Sequence, residues 1–240
     1  MGVIDETVES NPSLQGAPVM RKSVKMFAAA VFALAITTSA GEALQYDRLT
    51  LDHSSKILLM ARGRINNGDT QRLLGFLLGL PAGERIAGLI VDSPGGGLVE
   101  AEALAAVIRR GAFPLFVPPG GQCSSACFLL FAAAPQRFVA IDAAVGVHRA
   151  NENGSETAAA KKATAAMAKD AWELGVPDRI IAKLVQTPPN QKSWLSSSEL
   201  ATMDVLVIPG ASPATTRAGD NEGVVSRKGI EGWVAVLNTR

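Results

Sequence analysis

The run from Arg85 to Asp92, RIAGLIVD, constrains this chain more than any other segment. Its centre is apolar without alternation, and it stops at Ser93-Pro94-Gly95-Gly96-Gly97. A strand of that pattern is buried on both faces, as in a parallel sheet. The next segment, Leu98 to Arg110, alternates apolar and polar residues at helical spacing. The same order recurs on either side. Lys56 to Ile65 reads as a strand, Asn66-Asn67-Gly68-Asp69 as a turn whose Asp69 caps a helix, and Thr70 to Gly79 as that helix. Phe113 to Val117 is a strand closed by Pro118-Pro119-Gly120-Gly121, and Ser125 to Ala134 is a buried helix. Arg137 to His148 carries one or two strands. Ser155-Glu156-Thr157 opens an Ala-rich helix reaching about Leu174, and Pro177 to Gln186 is another, ended by Pro188-Pro189. Ser196 to Glu199 fits a capping box, and Val205 to Ile208 is a last strand. Strands alternating with helices define an α/β domain, with a mainly parallel central sheet flanked by helices.

Composition narrows the function. With 48% apolar residues the chain has enough apolar surface to offset chain entropy, so it is not a disordered polyelectrolyte. A formal charge of +1 leaves no positive excess to displace counterions, which argues against a nucleic-acid partner. Two cysteines and two histidines make neither a disulfide scaffold nor an all-cysteine zinc site, so no metal is expected.

Residues 1–43 read as a polar leader followed by a signal peptide or an N-terminal membrane anchor. Arg21, Lys22 and Lys25 precede sixteen uncharged residues, Met26 to Gly41, and Gly41 and Ala43 fit a small-x-small cleavage site. Met20 is the expected translation start. The apolar run is short for a span of about 20 residues, so membrane association through residues 26–41 would be as an anchor. The expected location is the periplasm or the exterior, or the outward face of the inner membrane. Residues 44–208 form the α/β domain, and 209–240 a linker and C-terminal tail.

Two glycine-rich breaks follow buried strands and lead into helices: Ser93 to Gly97, and Gly120-Gly121-Gln122-Cys123-Ser124-Ser125-Ala126-Cys127. A strand end feeding a helix start exposes unpaired N–H groups with a favourable dipole. Two such turns side by side aim N–H donors at one oxygen, the arrangement that stabilises an oxyanion. Neither turn has the Lys-Ser/Thr pair of a phosphate loop, and the first lacks dinucleotide spacing, so no cofactor is expected. Ser125 at a helix start and His148 at a strand end form a candidate nucleophile–base pair. Ser124 is a second candidate nucleophile that would face away from the helix dipole. Cys123 and Cys127 are either small buried apolar residues or a disulfide clamping the turn. Asp92 reads as a cap of the Ser-Pro-Gly-Gly turn, Arg149 as a substrate contact or an ion-pair partner, and His53 as a surface residue.

The stretch Ser93 to Arg149 resembles the Clp protease proteolytic subunit and its relatives in the Clp/crotonase superfamily, including an exported periplasmic-protein-like group. The resemblance rests on Ser93-Pro94-Gly95-Gly96 after an apolar strand, Gly121-Gln122 before Ser125, an apolar helix, Arg137 with a strand, and Val147-His148. It implies a Clp/crotonase-type fold and an ATP-independent serine peptidase. Ser125 would be the nucleophile and His148 the general base, with Gly96 and Ala126 giving the oxyanion-hole N–H groups. It further implies a peptide or unfolded-protein substrate bound as an added strand beside Gly97 and after His148, and a homo-oligomer, trimeric or larger. The family's acid has no counterpart, because Lys192 stands at its position in Asn190-Gln191-Lys192-Ser193-Trp194. Asn190 is the candidate orienting residue in its place. A Ser–Lys dyad through Lys161 or Lys162, a catalytically inactive peptide-binding scaffold, an acyl-CoA enzyme and an esterase are the alternatives.

Overall fold

The computed structural model describes residues 43–51, 55–209 and 233–235. The leader, the apolar run 26–41, His53 and the linker 210–232 lie outside the described residues. No helix among the described residues is long and apolar enough to cross a membrane.

A six-stranded sheet forms the centre. It comprises β1 (Gln45–Thr50), β2 (Lys56–Arg62), β3 (Arg85–Asp92), β4 (Leu115–Val117), β6 (Arg137–Ala140) and β9 (Val205–Ile208), in that spatial order. Only β1 runs antiparallel to its neighbour, so the sheet is mainly parallel, as expected from the strand–helix alternation. A second sheet orders β5 (Gln122–Ser124), β7 (Ala144–Val147) and β8 (Ser193–Trp194).

Period-2 alternation divides the central strands between two cores. Leu59, Ala61, Leu89, Val91, Leu115 and Val117 pack with α2 (Leu98–Arg110) and the fully apolar α3 (Cys127–Ala133). Leu58, Met60, Ile90, Phe116 and Phe138 face the other way, onto Trp233. Trp233 is fully buried and stacks on Phe116 at 5.1 Å between ring centroids. The expected tail therefore contributes a core side chain. Gly88 in β3 makes room for it, since a Cβ there would lie 2.7 Å from the indole.

Three strands escape the sequence pattern: β1, β5 and β8. Asp69 lies at the start of α1 (Asp69–Leu78), but the capping position is Gly68, without a side-chain cap. The buried Asp69 carboxylate accepts from the Asn66 N–H and pairs with Arg72, holding the turn rather than the helix end. Further along, Thr157 caps α4 (Ala158–Glu173) by accepting from the Ala160 N–H. α5 (Asp178–Gln186) precedes α6 (Ser197–Ala201), whose Ser196–Glu199 capping box is fully formed. Arg137 donates to the carbonyls of Phe131, Ala132 and Met203, satisfying the otherwise orphaned C-terminal end of α3.

Candidate active site

The two glycine turns meet because β3 and β5 pair at their ends. The Ser93 N–H donates to the Gln122 carbonyl at 2.7 Å, and the Ser124 N–H donates back to the Ser93 carbonyl at 3.1 Å. Asp92 strengthens the junction by accepting from the Gln122 N–H at 3.0 Å, which ties one turn to the other instead of capping its own. The Ser93 hydroxyl accepts from the Gly95 N–H and shapes the first turn. The contact between the turns is tight. A Cβ on Gly95 would lie 2.5 Å from the Ser124 carbonyl oxygen, 2.7 Å from the Ser125 Cβ and 2.9 Å from the Ala126 nitrogen.

Ser125 sits between β5 and α3 with φ of 59°, the left-handed region. A non-glycine residue there costs about 1–2 kcal/mol, which the surrounding contacts must offset. The Ser125 N–H donates to the Gly146 carbonyl of β7 at 3.1 Å, and its carbonyl accepts from the Phe128 N–H at 2.9 Å. The sharp bend lifts the half-buried side chain of Ser125 out of the strand line and into an open pocket. Ser124, one residue earlier, is fully buried and its hydroxyl donates to the Pro94 carbonyl, so it is spent on structure.

β5 and β7 are parallel with Ser124 opposite Gly146, so the residues just beyond both strands, Ser125 and His148, leave the sheet at the same end. Gly146 stays small because a Cβ would meet the Trp194 ring at 2.5 Å. Ser125, His148, Gly96 and Ala126 all line one pocket of about 420 Å³, together with Arg64, Pro94, Gly97, Leu98, Ala150, Asn151, Ala163, Met167 and Lys192. The bonds on either side of Gly96 both go to Ile65, so the Gly96 N–H itself points away from that residue. Neither this N–H nor that of Ala126 has an acceptor among the described residues.

His148 is buried, 6% exposed. Burial holds its pKa below the ordinary imidazole value, and the Lys192 ammonium pushes the same way, against an opposing contribution from the Arg149 main chain. The ring is therefore neutral at pH 7, the state a general base requires. No hydrogen bond joins it to Ser125 among the described residues, and its buried Nδ1 has no hydrogen-bond partner.

The expected orienting residue is not in place. Asn190 is exposed in a turn closed by the Gln191 N–H on the Pro188 carbonyl, and it does not line the pocket. Lys161 and Lys162 are likewise exposed on α4, whose pocket-lining residues are Ala163 and Met167. Arg149 pairs with Glu156 at 2.7 Å. An added substrate strand would also find few donors beside the site. The N–H groups of Gly97, Arg149 and Ala150 are already bonded to the Ile65 carbonyl, the Thr187 carbonyl and the Thr164 hydroxyl.

Cys123 and Cys127 are disulfide-bonded, with Cα atoms 5.3 Å apart. The bridge spans the residues on both sides of Ser125 and closes the turn covalently. Sequence reasoning overlooked Arg64. Its signal was faint: a cation beside Ile65, whose main chain the first glycine turn needs.

Lys192 reaches the pocket from the segment before β8. Its ammonium donates to Gln122 Oε1 at 3.1 Å and lies 5.4 Å from the Trp194 ring centroid. Because Lys192 disfavours the imidazolium, Lys192→Met is expected to raise the His148 pKa. The acid limb of any His148-dependent reaction then moves to higher pH. The pH profile of Ser125 modification in both proteins measures this, and an unmoved limb would show that the ring does not sense the ammonium.

No protein-family model matches the chain, and no curated protein matches it in sequence. Solved structures do. A membrane-bound stomatin-specific protease gives a TM-score of 0.48 at 17% identity, covering 62% of this chain and 77% of that one. ClpP1 from Listeria monocytogenes gives 0.48 at 17% identity, with 64% and 91% covered. A methylmalonyl-CoA decarboxylase gives 0.45 at 10% identity, with 69% of each chain covered. Proteases and a decarboxylase thus stand side by side among the structures similar to this chain.

Proposed function

We propose that this chain is an exported serine hydrolase, an ATP-independent peptidase working through Ser125 and His148. One observation carries the reading: a serine held in the left-handed region at a strand–helix junction shares a pocket with a neutral buried histidine and two unbonded N–H groups. In the proposed reaction the Ser125 Oγ attacks a peptide carbonyl while His148 takes its proton. The Gly96 and Ala126 N–H groups receive the oxyanion. His148 then returns the proton to the leaving amine, and water hydrolyses the acyl-enzyme. The disulfide supports an oxidising location, the periplasm or beyond. Assembly into a homo-oligomer belongs to the same proposal, and a partner subunit is one source of the group that His148 Nδ1 lacks.

A fluorophosphonate probe tests the chemistry. Labelling is expected at Ser125, absent in Ser125→Ala, and slower by roughly 10²–10⁴-fold in His148→Ala. The second reading, a non-catalytic peptide-binding scaffold, is favoured by the unpartnered Nδ1 and the missing Ser–His hydrogen bond. It predicts no labelling of the folded wild-type chain.

A further inference from the structure

The residues lining the candidate site include two cations, Arg64 and Lys192, and not one carboxylate. Neither cation has an acidic partner among the described residues. Elsewhere in the same molecule several acids are paired with cations: Glu156 with Arg149, Glu199 with Lys183, Asp69 with Arg72, Glu84 with Arg48. Among the described residues Lys192 is held only by the neutral Gln122 oxygen and the Trp194 face. The guanidinium and the ammonium act on each other, since Arg64, after burial, is what disfavours the charged form of Lys192. Like charges brought together beside a half-buried serine raise the local positive potential, which an anionic group would relieve. Beside them the lining has the apolar Pro94, Leu98, Ala150, Ala163 and Met167 and the uncharged polar Asn151.

Resting on the hydrolase reading and extending it to the substrate, we infer that this pocket selects substrates carrying a carboxylate next to the scissile carbonyl, bound between Arg64 and Lys192. The pocket's volume of about 420 Å³ admits only a short stretch of substrate, so the negative charge lies on an adjoining residue. It comes either from an Asp or Glu side chain or from the peptide's own C-terminus. Arg64 supplies the planar fork suited to a carboxylate, and Lys192 a point charge.

Two peptidyl phosphonates, identical except for Glu against Gln at the residue bearing the phosphorus, measure the preference at Ser125. The Glu probe is expected to react roughly ten- to hundredfold faster. Arg64→Ala and Lys192→Ala are each expected to shrink that ratio, as is added salt. A fall of both rates by one common factor in Lys192→Ala would assign the ammonium to proton transfer and overturn the inference.

Calorimetric binding to Ser125→Ala separates this inference from the hydrolase reading. Tighter binding of a Glu than a Gln peptide identifies a side-chain source, and tighter binding of a free-acid than an amidated peptide a terminal one. Either supports the inference, even if neither probe labels the wild type and the hydrolase reading falls. Equal binding of all four peptides overturns it, whatever the labelling shows.

Discussion

Gly95→Ala is expected to cost Ser125 its reactivity, with fluorophosphonate labelling slowed by about 100-fold or more. The new Cβ would sit 2.5 Å from the Ser124 carbonyl oxygen and 2.7 Å from the Ser125 Cβ. Those atoms belong to a turn locked by the disulfide, by the Ser93–Gln122 and Ser124–Ser93 main-chain bonds and by α3, so none gives way cheaply. Gly95 also has φ of 91°, where an L side chain is strained. Strain and overpacking together are expected to lower stability by roughly 3 kcal/mol. Urea unfolding reads that loss. Gly120→Ala is the control: its φ of 67° carries similar strain, but a Cβ there would meet nothing within 4 Å. It should unfold slightly earlier and label normally. Normal labelling of Gly95→Ala would mean that the two turns do not act together.

Trp233→Ala is expected to destabilise the fold by about 3–5 kcal/mol. The indole is fully buried, stacked on Phe116 and tilted against Phe138 at 6.0 Å. Its Nε1 has no hydrogen-bond partner among the described residues, so Trp233→Phe forfeits part of the packing but also removes an unsatisfied donor, and should cost distinctly less. Gly88→Ala supplies the complementary measurement. Its Cβ would press on the indole at 2.7 Å, so its penalty should shrink in a Trp233→Ala background. A double-mutant cycle by chemical denaturation measures that coupling, and strict additivity would show that the two positions do not touch.

Much of the architecture was written locally. RIAGLIVD became β3 over Arg85–Asp92, and the helical spacing of Leu98–Arg110 became α2 with the same bounds. The capping box at Ser196 formed as spaced. Each of these signals lies within one short window, where periodicity and side-chain reach decide the outcome. Shorter pieces gave no such signal. β5 has three residues and β8 two, too few to show alternation, and both are strands because they pair with β7 on either side.

The sequence by itself determined the alternating strands and helices, the two glycine breaks and the residue types that a hydrolytic site needs. Only the tertiary structure decided which of them meet. Ser125 and His148 share a pocket because β5 and β7 run parallel in register, while Asn190, close to β8 along the chain, is turned out to solvent. Arg64 enters that pocket through Ile65, whose main chain grips Gly95 and Gly97 some thirty residues on, and Trp233 closes a core whose strands lie far back in the chain. Contacts of that separation arise from strand pairing and side-chain packing, which no local periodicity encodes.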